Sequence, residues 1–209
     1  MCPFFVHRTA SSQTRRSQPQ GLAATTQSAK LSFIEQCAWR RELSEDPTSL
    51  SYRPCVGIMV LNKDGLIWIG RRSDAKNKID HGAWWQMPQG GIDEGENPEL
   101  AAKRELFEET SIRSVDLIGQ QSAWLNYDLP AELIGTKWGG RYRGQTQKWF
   151  AMRFHGEDSE INISPPDQEI EFDAWKWARK SELMDLIVPF KREVYRAVLQ
   201  ELGTFAADT

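Results

Sequence analysis

Three glutamates, Glu105, Glu108 and Glu109, stand close together in a stretch that reads as a helix from Pro98 to Thr110. Asn97 is a good N-cap and Pro98 suits the first helical position, so the register of the helix is fixed from its start. At the helical rotation per residue, the three carboxylates share one face within an arc of about 100°, with neighbouring Cβ atoms about 5–6 Å apart. A solvated charged face is the ordinary explanation, and Arg104 four residues before Glu108, with Glu99 four before Lys103, supports it. Two penalties oppose it. Like-charge neighbours each cost about 0.2–0.5 kcal/mol, and acids in the last turn meet the negative end of the helix dipole at about 0.3–1 kcal/mol each. A hard divalent cation reverses both penalties, because oxygen-rich, clustered carboxylates are what such an ion binds. The spacing therefore points to metal binding.

The loop ahead of the helix, Gln86-Met87-Pro88-Gln89-Gly90-Gly91-Ile92-Asp93-Glu94-Gly95-Glu96, supplies glycines where the backbone must turn closely against it. The carbonyl of Gly90 is a candidate metal ligand.

The elements that must hold this segment follow from the rest of the chain. Cys55–Leu61 and Leu66–Gly70 read as two strands joined at Asn62-Lys63-Asp64-Gly65. Further strands are expected at Val115–Gln121, Gln147–His155 and Phe172–Ala178, and further helices at Ser181–Ile187 and Pro189–Leu202. Strands outnumber helices in mixed order, which predicts an α+β or layered αβα domain. Residues 1–34, rich in Ser, Thr and Gln without apolar periodicity, read as a disordered tail. Residues 35–50 read as a linker, with a short helix over Phe33–Leu43 stopped by Asp46-Pro47, and residues 204–209 as a C-terminal tail.

The 209 residues are 40% apolar and 26% charged, suiting one globular domain, and no run approaches the roughly 20 apolar residues a membrane span needs. The tail holds four basic residues and no acid, so 22 basic against 29 acidic residues remain in the body. If this acidic body handles a polyanion, metal ions or a few placed arginines must do the work rather than bulk charge. Cys2, Cys37 and Cys55 have no metal-ligand spacing and suggest a reducing compartment; His7, His81 and His155 are too scattered for a zinc site.

The run from Gly90 through Glu96 to Arg104-Glu105-Leu106-Phe107-Glu108-Glu109-Thr110-Ser111-Ile112 resembles the Nudix box, G-x5-E-x7-R-E-U-x-E-E-x-G-U, with U a bulky aliphatic residue. Ser111 stands where that pattern has its last glycine, so the helix is expected to end on a residue that takes the left-handed conformation less cheaply. The resemblance extends over about residues 51–203. Tyr52–Gly57, Trp85–Gly91, Gln147–Phe150, Glu160–Asn162, Glu171–Trp175 and Pro189–Arg192 are similar to the bacterial RNA pyrophosphohydrolase and dinucleoside polyphosphate hydrolase branch, with an alphaproteobacterial cast.

The resemblance implies a Nudix αβα sandwich, a mixed central sheet flanked by helices, carrying a catalytic loop-helix-loop. It implies hydrolysis of a phosphoric anhydride with Mg²⁺, for which Mn²⁺ or another divalent cation could substitute, and two or three ions in the site. Glu105, Glu108 and Glu109 would hold the metals with the Gly90 carbonyl, and Glu105 or an acid outside the helix would be the base, Glu160 being the outside candidate for base or metal. Glu96 and Arg104 would pair to brace the loop on the helix. Arg53 and Arg72 would meet the 5′ phosphates and first base, Phe172 would stack on that base, and Tyr127 and Lys148 are weaker candidates of the same kind. For Phe172 the competing reading is a core aromatic beside Trp175 and Trp177; strand alternation places it on the opposite face from them. The expected substrate is 5′-triphosphorylated RNA, cut to a 5′-monophosphate so as to promote mRNA decay, with dinucleoside polyphosphates as the alternative and a non-catalytic nucleotide-binding module as a reading of another class. No membrane or obligate protein partner is implied, and a bacterial cytoplasmic location is expected, although the acid-free tail also has the composition of an organellar transit peptide.

Overall fold

The computed structural model describes residues 49–73, 84–166 and 170–207. The short helix expected over Phe33–Leu43, the tail before it, Cys2, Cys37, His7 and His81 lie outside the described residues.

The framework is a mixed sheet built on β1 (Ser51–Leu61) and β7 (Tyr142–Phe154), which run parallel along the whole of β1. The sheet order is β3-β2-β1-β7-β5, with β2 at Ile67–Arg72, β3 at Trp85–Gln86 and β5 at Val115–Gln120. Three strands extend this path: β4 (Gln89–Gly91) pairs with β1, β6 (Leu125–Asp128) with β7, and β8 (Phe172–Ala178) with β2. On its outer edge β1 meets β4 over Cys55–Gly57 and reaches β2 only at Leu61. The edge is thereby split, and the segment entering the glutamate helix lies along the split.

The run from Cys55 to Leu61 is buried throughout, as a strand covered on both faces requires. One face holds Val56, Ile58 and Val60 against Ala101, Ala102 and Leu106 of α1 (Pro98–Thr110). The other holds Met59 and Leu61 with Trp149 and with Val194, Tyr195 and Val198 of α3 (Arg192–Leu202). A one-turn helix, α2 (Leu183–Leu186), precedes α3. This is the layered α+β sandwich expected from the sequence. Gly57 is required by close approach: a Cβ there would meet the Trp149 ring at 2.4 Å.

Local signals explain the ends of α1. Asn97 Oδ1 accepts from the backbone N–H groups of Glu99 and Leu100 at 2.9 and 3.3 Å. At the other end Ser111 takes the left-handed conformation, φ 63°, and its N–H donates to the Phe107 carbonyl at 2.8 Å. The Ser111 hydroxyl donates to the Asn162 carbonyl at 3.2 Å, which anchors the cap that glycine would have formed without strain.

Three short strands, β3, β4 and β6, were not expected from sequence; each is too short for an alternation to register. The C-terminal residues expected as a tail instead pack on the domain. Gly203–Phe205 forms a 3-10 turn, Phe205 lies over Gly119, and the Ala207 N–H donates to the Gly65 carbonyl at 3.0 Å. Among the described residues no helix is long and apolar enough to cross a membrane.

Candidate active site

Arg104 organises the exposed half of the glutamate face. Its Nε and Nη2 donate to the two carboxylate oxygens of Glu96 at 2.9 and 2.8 Å, a bidentate pair. Nη2 also donates to the Gly91 carbonyl at 2.8 Å, and Nη1 to Glu105 at 2.8 Å and Glu108 at 3.0 Å. One guanidinium thus ties the loop to the helix and neutralises part of the acidic cluster. The Glu96 carboxyl is held down to about 2, first by its hydrogen bonds from Arg104 and then by the Asp93 backbone. Burial raises Glu105, against the pull of Arg104.

Glu109 lies deeper. It keeps some exposed surface along its length, but its carboxylate reaches inward to accept the Gln89 N–H at 3.1 Å. Burial holds that carboxyl well above its ordinary range, and the charges of Glu171 and Glu105 add to the effect, opposed by Gln89 and Arg72. Beside it, Arg72 Nη1 pairs with Glu171 at 2.9 Å and donates to Gln86 Oε1 at 3.2 Å, which also receives Lys191 Nζ at 3.2 Å. Lys191, 5% exposed, is pushed down to about 7, chiefly by burial and by Arg72.

Gly90 is shaped by its neighbour: a Cβ there would stand 1.9 Å from the Glu105 carboxyl. At Gly91 a Cβ would meet Arg53 Nη2 at 2.3 Å, so the Arg53 guanidinium packs directly on the loop. Behind the loop, Trp149 Nε1 donates to Gln147 Oε1 at 3.0 Å, and Gln147 Nε2 donates to Gln145 at 2.8 Å and Gln89 at 3.4 Å. The residue before Gly90 is therefore fastened to the core on one side and to Glu109 on the other.

Among the described residues no three acids, thiols or imidazoles already stand in a closed metal cage, and Arg104 bridges Glu105 and Glu108. The donor set nonetheless fits a hard divalent cation: a desolvated Glu109, a half-buried Glu105, and a glycine whose missing side chain leaves the Glu105 carboxyl against the backbone. The desolvation that raises Glu109 is what a bound cation would offset.

The remaining sequence candidates separate. Arg53 and Arg72 are brought to the acids, since each lowers a member of the cluster, Glu105 and Glu109 respectively. Glu160 is not. Its Oε1 accepts the backbone N–H groups of Arg113 and Ser114 at 2.6 and 2.9 Å. Partial desolvation pushes its carboxyl up, and these backbone bonds outweigh that and hold it below the usual range. Glu160 fastens the chain just beyond α1, and the acid brought to Glu109 from outside the helix is Glu171.

Phe172 is also corrected. It is fully buried, with its ring 5.3 Å from Trp68 in an edge-on contact, in the same core cluster as Trp175 and Trp177. The reason is a bulge: Arg71 pairs with Ala174 but Arg72 with Phe172, so one extra residue breaks the alternation and turns Phe172 to the core face. Phe172→Ala should cost about 3–5 kcal/mol of stability, measured by urea unfolding.

Lys148 spends its ammonium on the carbonyls of Gln121 and Ser122 at 2.6 and 3.2 Å, which holds the β5–β6 connection and does not bring it to the acids. Tyr127 is 7% exposed, its ring 5.7 Å from Phe190 and 5.5 Å from Lys191 Nζ, a wall beneath Arg72 and Lys191 rather than an open stacking face.

Sequence reasoning missed Glu171, Lys191, Gln86 and Gln147. Glu171 directly precedes an expected strand, and an acid at a strand start was the available signal. Nothing in sequence announces that Lys191 is buried or that Gln86 joins it to Arg72.

A model of the NUDIX domain matches residues 51–198. An RNA pyrophosphohydrolase from Brucella ovis is 56% identical over 166 residues, 78% of this chain and 93% of that protein. One from Mesorhizobium japonicum is 55% identical over 165 residues, 77% of this chain and 95% of that protein. Among solved structures, the Escherichia coli dihydroneopterin triphosphate pyrophosphohydrolase superposes with a TM-score of 0.55 at 21% identity, covering 74% of this chain and 99% of that chain. A Caenorhabditis elegans Ap4A hydrolase in a binary complex gives 0.51 at 17% identity, covering 73% and 98%. At such identities these structures speak to the fold alone.

Proposed function

Since the chain belongs to the NUDIX domain family, whose hydrolases generally need divalent cations, we propose that it is an RNA pyrophosphohydrolase, removing pyrophosphate from the 5′-triphosphate end of RNA. The carrying observation is that one place gathers two sets of groups: the carboxylates of Glu105, Glu108 and Glu109 on α1, the first and second of them bridged by Arg104, and the guanidinium groups of Arg53 and Arg72, whose charges act on Glu105 and Glu109 respectively. The relatives named RNA pyrophosphohydrolase, similar over nearly their whole length, support the substrate.

Glu105, Glu108 and Glu109, with the Gly90 carbonyl, would hold Mg²⁺, two or three ions in all, with Mn²⁺ as a possible substitute. When bound, the cations neutralise phosphate oxygens and bring the pKa of water toward neutrality. The chain's own residues do the rest. Arg53, packed on Gly91, and Arg72, braced by Glu171 and Gln86, offer fixed guanidinium groups to the 5′ phosphates, with no reorganisation needed on binding. Glu171 or Glu105 takes the proton from the attacking water; burial raises the Glu105 carboxyl and so makes it a stronger base than an exposed one. Arg104 orients Glu105 and Glu108, so Arg104→Ala should lower kcat/KM about 10- to 100-fold without unfolding the protein, checked by initial rates beside a circular-dichroism spectrum. The expected location is the bacterial cytoplasm.

The test is a comparison of kcat/KM on a short triphosphorylated RNA and on diadenosine tetraphosphate. A preference for the RNA is expected, with pyrophosphate and a 5′-monophosphate end as products. A clear preference for the dinucleotide would sink the RNA assignment.

A further inference from the structure

The connection from β6 to β7 carries a large aromatic residue in an unfavourable backbone conformation. Gly135, Gly139 and Gly140 have φ of 85°, 66° and 73°, which glycine tolerates, but Trp138 between them has φ 51°. Among the described residues only Ser111 is its non-glycine counterpart, and Ser111 caps a helix. Trp138 ends no helix of that kind. A bulky residue is held in such a conformation only where its surroundings over-determine it, and such positions concentrate at functional sites.

The placement of its ring is specific. The indole is half-buried, packed on the α3 side of the core. The Arg53 guanidinium lies 5.5 Å from its centroid, and that same guanidinium packs on Gly91 beside the acidic cluster. The Tyr142 ring lies 6.4 Å from the indole, edge-on at 71°, the Arg141 guanidinium lies 5.7 Å from the Tyr142 ring, and Arg141 Nε donates to the Trp138 carbonyl at 3.4 Å. Neighbour to neighbour, a line of contacts therefore starts at the loop before α1: Arg53, Trp138, Tyr142, Arg141. It offers a cation, two rings and a cation. Among the described residues neither Arg53 nor Arg141 is ion-paired with a carboxylate, although Arg53 acts at longer range on Glu105, so both guanidinium groups can meet an anion on a body that is otherwise acidic.

We propose that this line is the track for the nucleotides that follow the first one in a single-stranded RNA, starting from Arg53 at the 5′ phosphates, with a base stacked on Trp138 and a following chain phosphate met by Arg141. Rings interspersed with cations match unpaired bases joined by phosphates, whereas a protein partner would call for a broader apolar surface. The inference rests on the RNA reading above and extends it: the enzyme would read its substrate beyond the triphosphate, and a free nucleotide would leave the track empty.

The test uses the full chain and 5′-triphosphorylated substrates of one and five nucleotides. Trp138→Ala should raise KM on the five-nucleotide RNA about tenfold, the scale of one lost stacked base, with a clearly smaller rise on the single nucleotide. Trp138→Phe, which keeps a ring, should recover most of the loss. Arg141→Gln should flatten the dependence of log KM on log salt by about 0.7 for the longer RNA. An equal KM rise on both lengths would overturn the inference, because Trp138 would then act only by propping Arg53 or the fold; so would no rise on either. The two readings fail separately. If the unmodified protein hydrolyses no triphosphorylated RNA, the functional assignment falls and the track with it; if it does, and the penalty is independent of length, the track alone falls.

Discussion

Glu109→Gln should lower kcat by more than about 100-fold while making the metal-free protein more stable near pH 8. The first effect follows if Glu109 is the carboxylate ligand proposed above, since even residues that only orient metal ligands are worth about 10- to 100-fold. The second follows from linkage. The Glu109 carboxyl sits well above its ordinary range in the folded protein, first because it is buried and then because Glu171 and Glu105 repel its charge. A raised carboxyl pKa means that the folded state holds this proton more tightly than the unfolded state. Its contribution is thus fully favourable below the unfolded value of about 4.3 and is lost as pH rises through the raised folded value. In EDTA, the Tm of the unmodified protein should fall relative to that of Glu109→Gln as pH increases from about 4.5 upward. Glu105, shifted in the same direction, stays in both proteins, and the loss of its repulsion with Glu109 in Glu109→Gln adds to the difference with the same sign. Adding Mg²⁺ at pH 8 should raise the Tm of the unmodified protein and narrow the gap, since an ion binding only the folded state stabilises it. Parallel Tm curves for the two proteins across pH, with or without Mg²⁺, would remove Glu109 from the metal site.

Gly90→Ala is expected to cost about 100-fold in kcat with little loss of Tm. The added methyl would lie 1.9 Å from the Glu105 carboxyl, far inside contact distance. The strand holding Gly90 is paired to β1 through Val56, so the backbone is fixed and the flexible end of Glu105 must yield. A displacement on the order of 1 Å in a reacting site costs about 10²-fold, whereas moving one side-chain terminus costs the fold little. Shortening the displaced residue should relieve the clash, so Glu105→Asp in the Gly90→Ala background should recover part of the activity, although Glu105→Asp alone impairs it. The kinetics of the two single variants and the double variant check this, and strictly additive losses would show that the two residues do not meet.

Much of this molecule was legible in the sequence because its signals are local. A helix start needs only Asn97 and Pro98, and Asn97 caps α1 as its side chain can. The buried run of β1 and the boundaries of β8 follow from apolar patterning. The same reasoning failed where a side chain's direction depends on a distant strand. Counting alternate residues places Phe172 on the face opposite Trp175 and Trp177, and a bulge against Arg71 and Arg72 reverses it. Glu160 and Glu171 are both acids in loops of the chain's last third, and sequence offers no means of ranking them. Backbone N–H groups of Arg113 and Ser114 claim one, and Arg72 draws the other toward Glu109.

The α+β class, the glutamate helix and its caps could be read from the chain alone, because spacing along one helix is a local property. The tertiary structure decided which charges face that helix. Residues far apart along the chain, Arg53 from β1, Arg72 from β2, Glu171 ahead of β8 and Lys191 before α3, converge on one end of α1 only after the sheet has closed. Their protonation and partners are set by burial, which belongs to the packed core and to no segment of it.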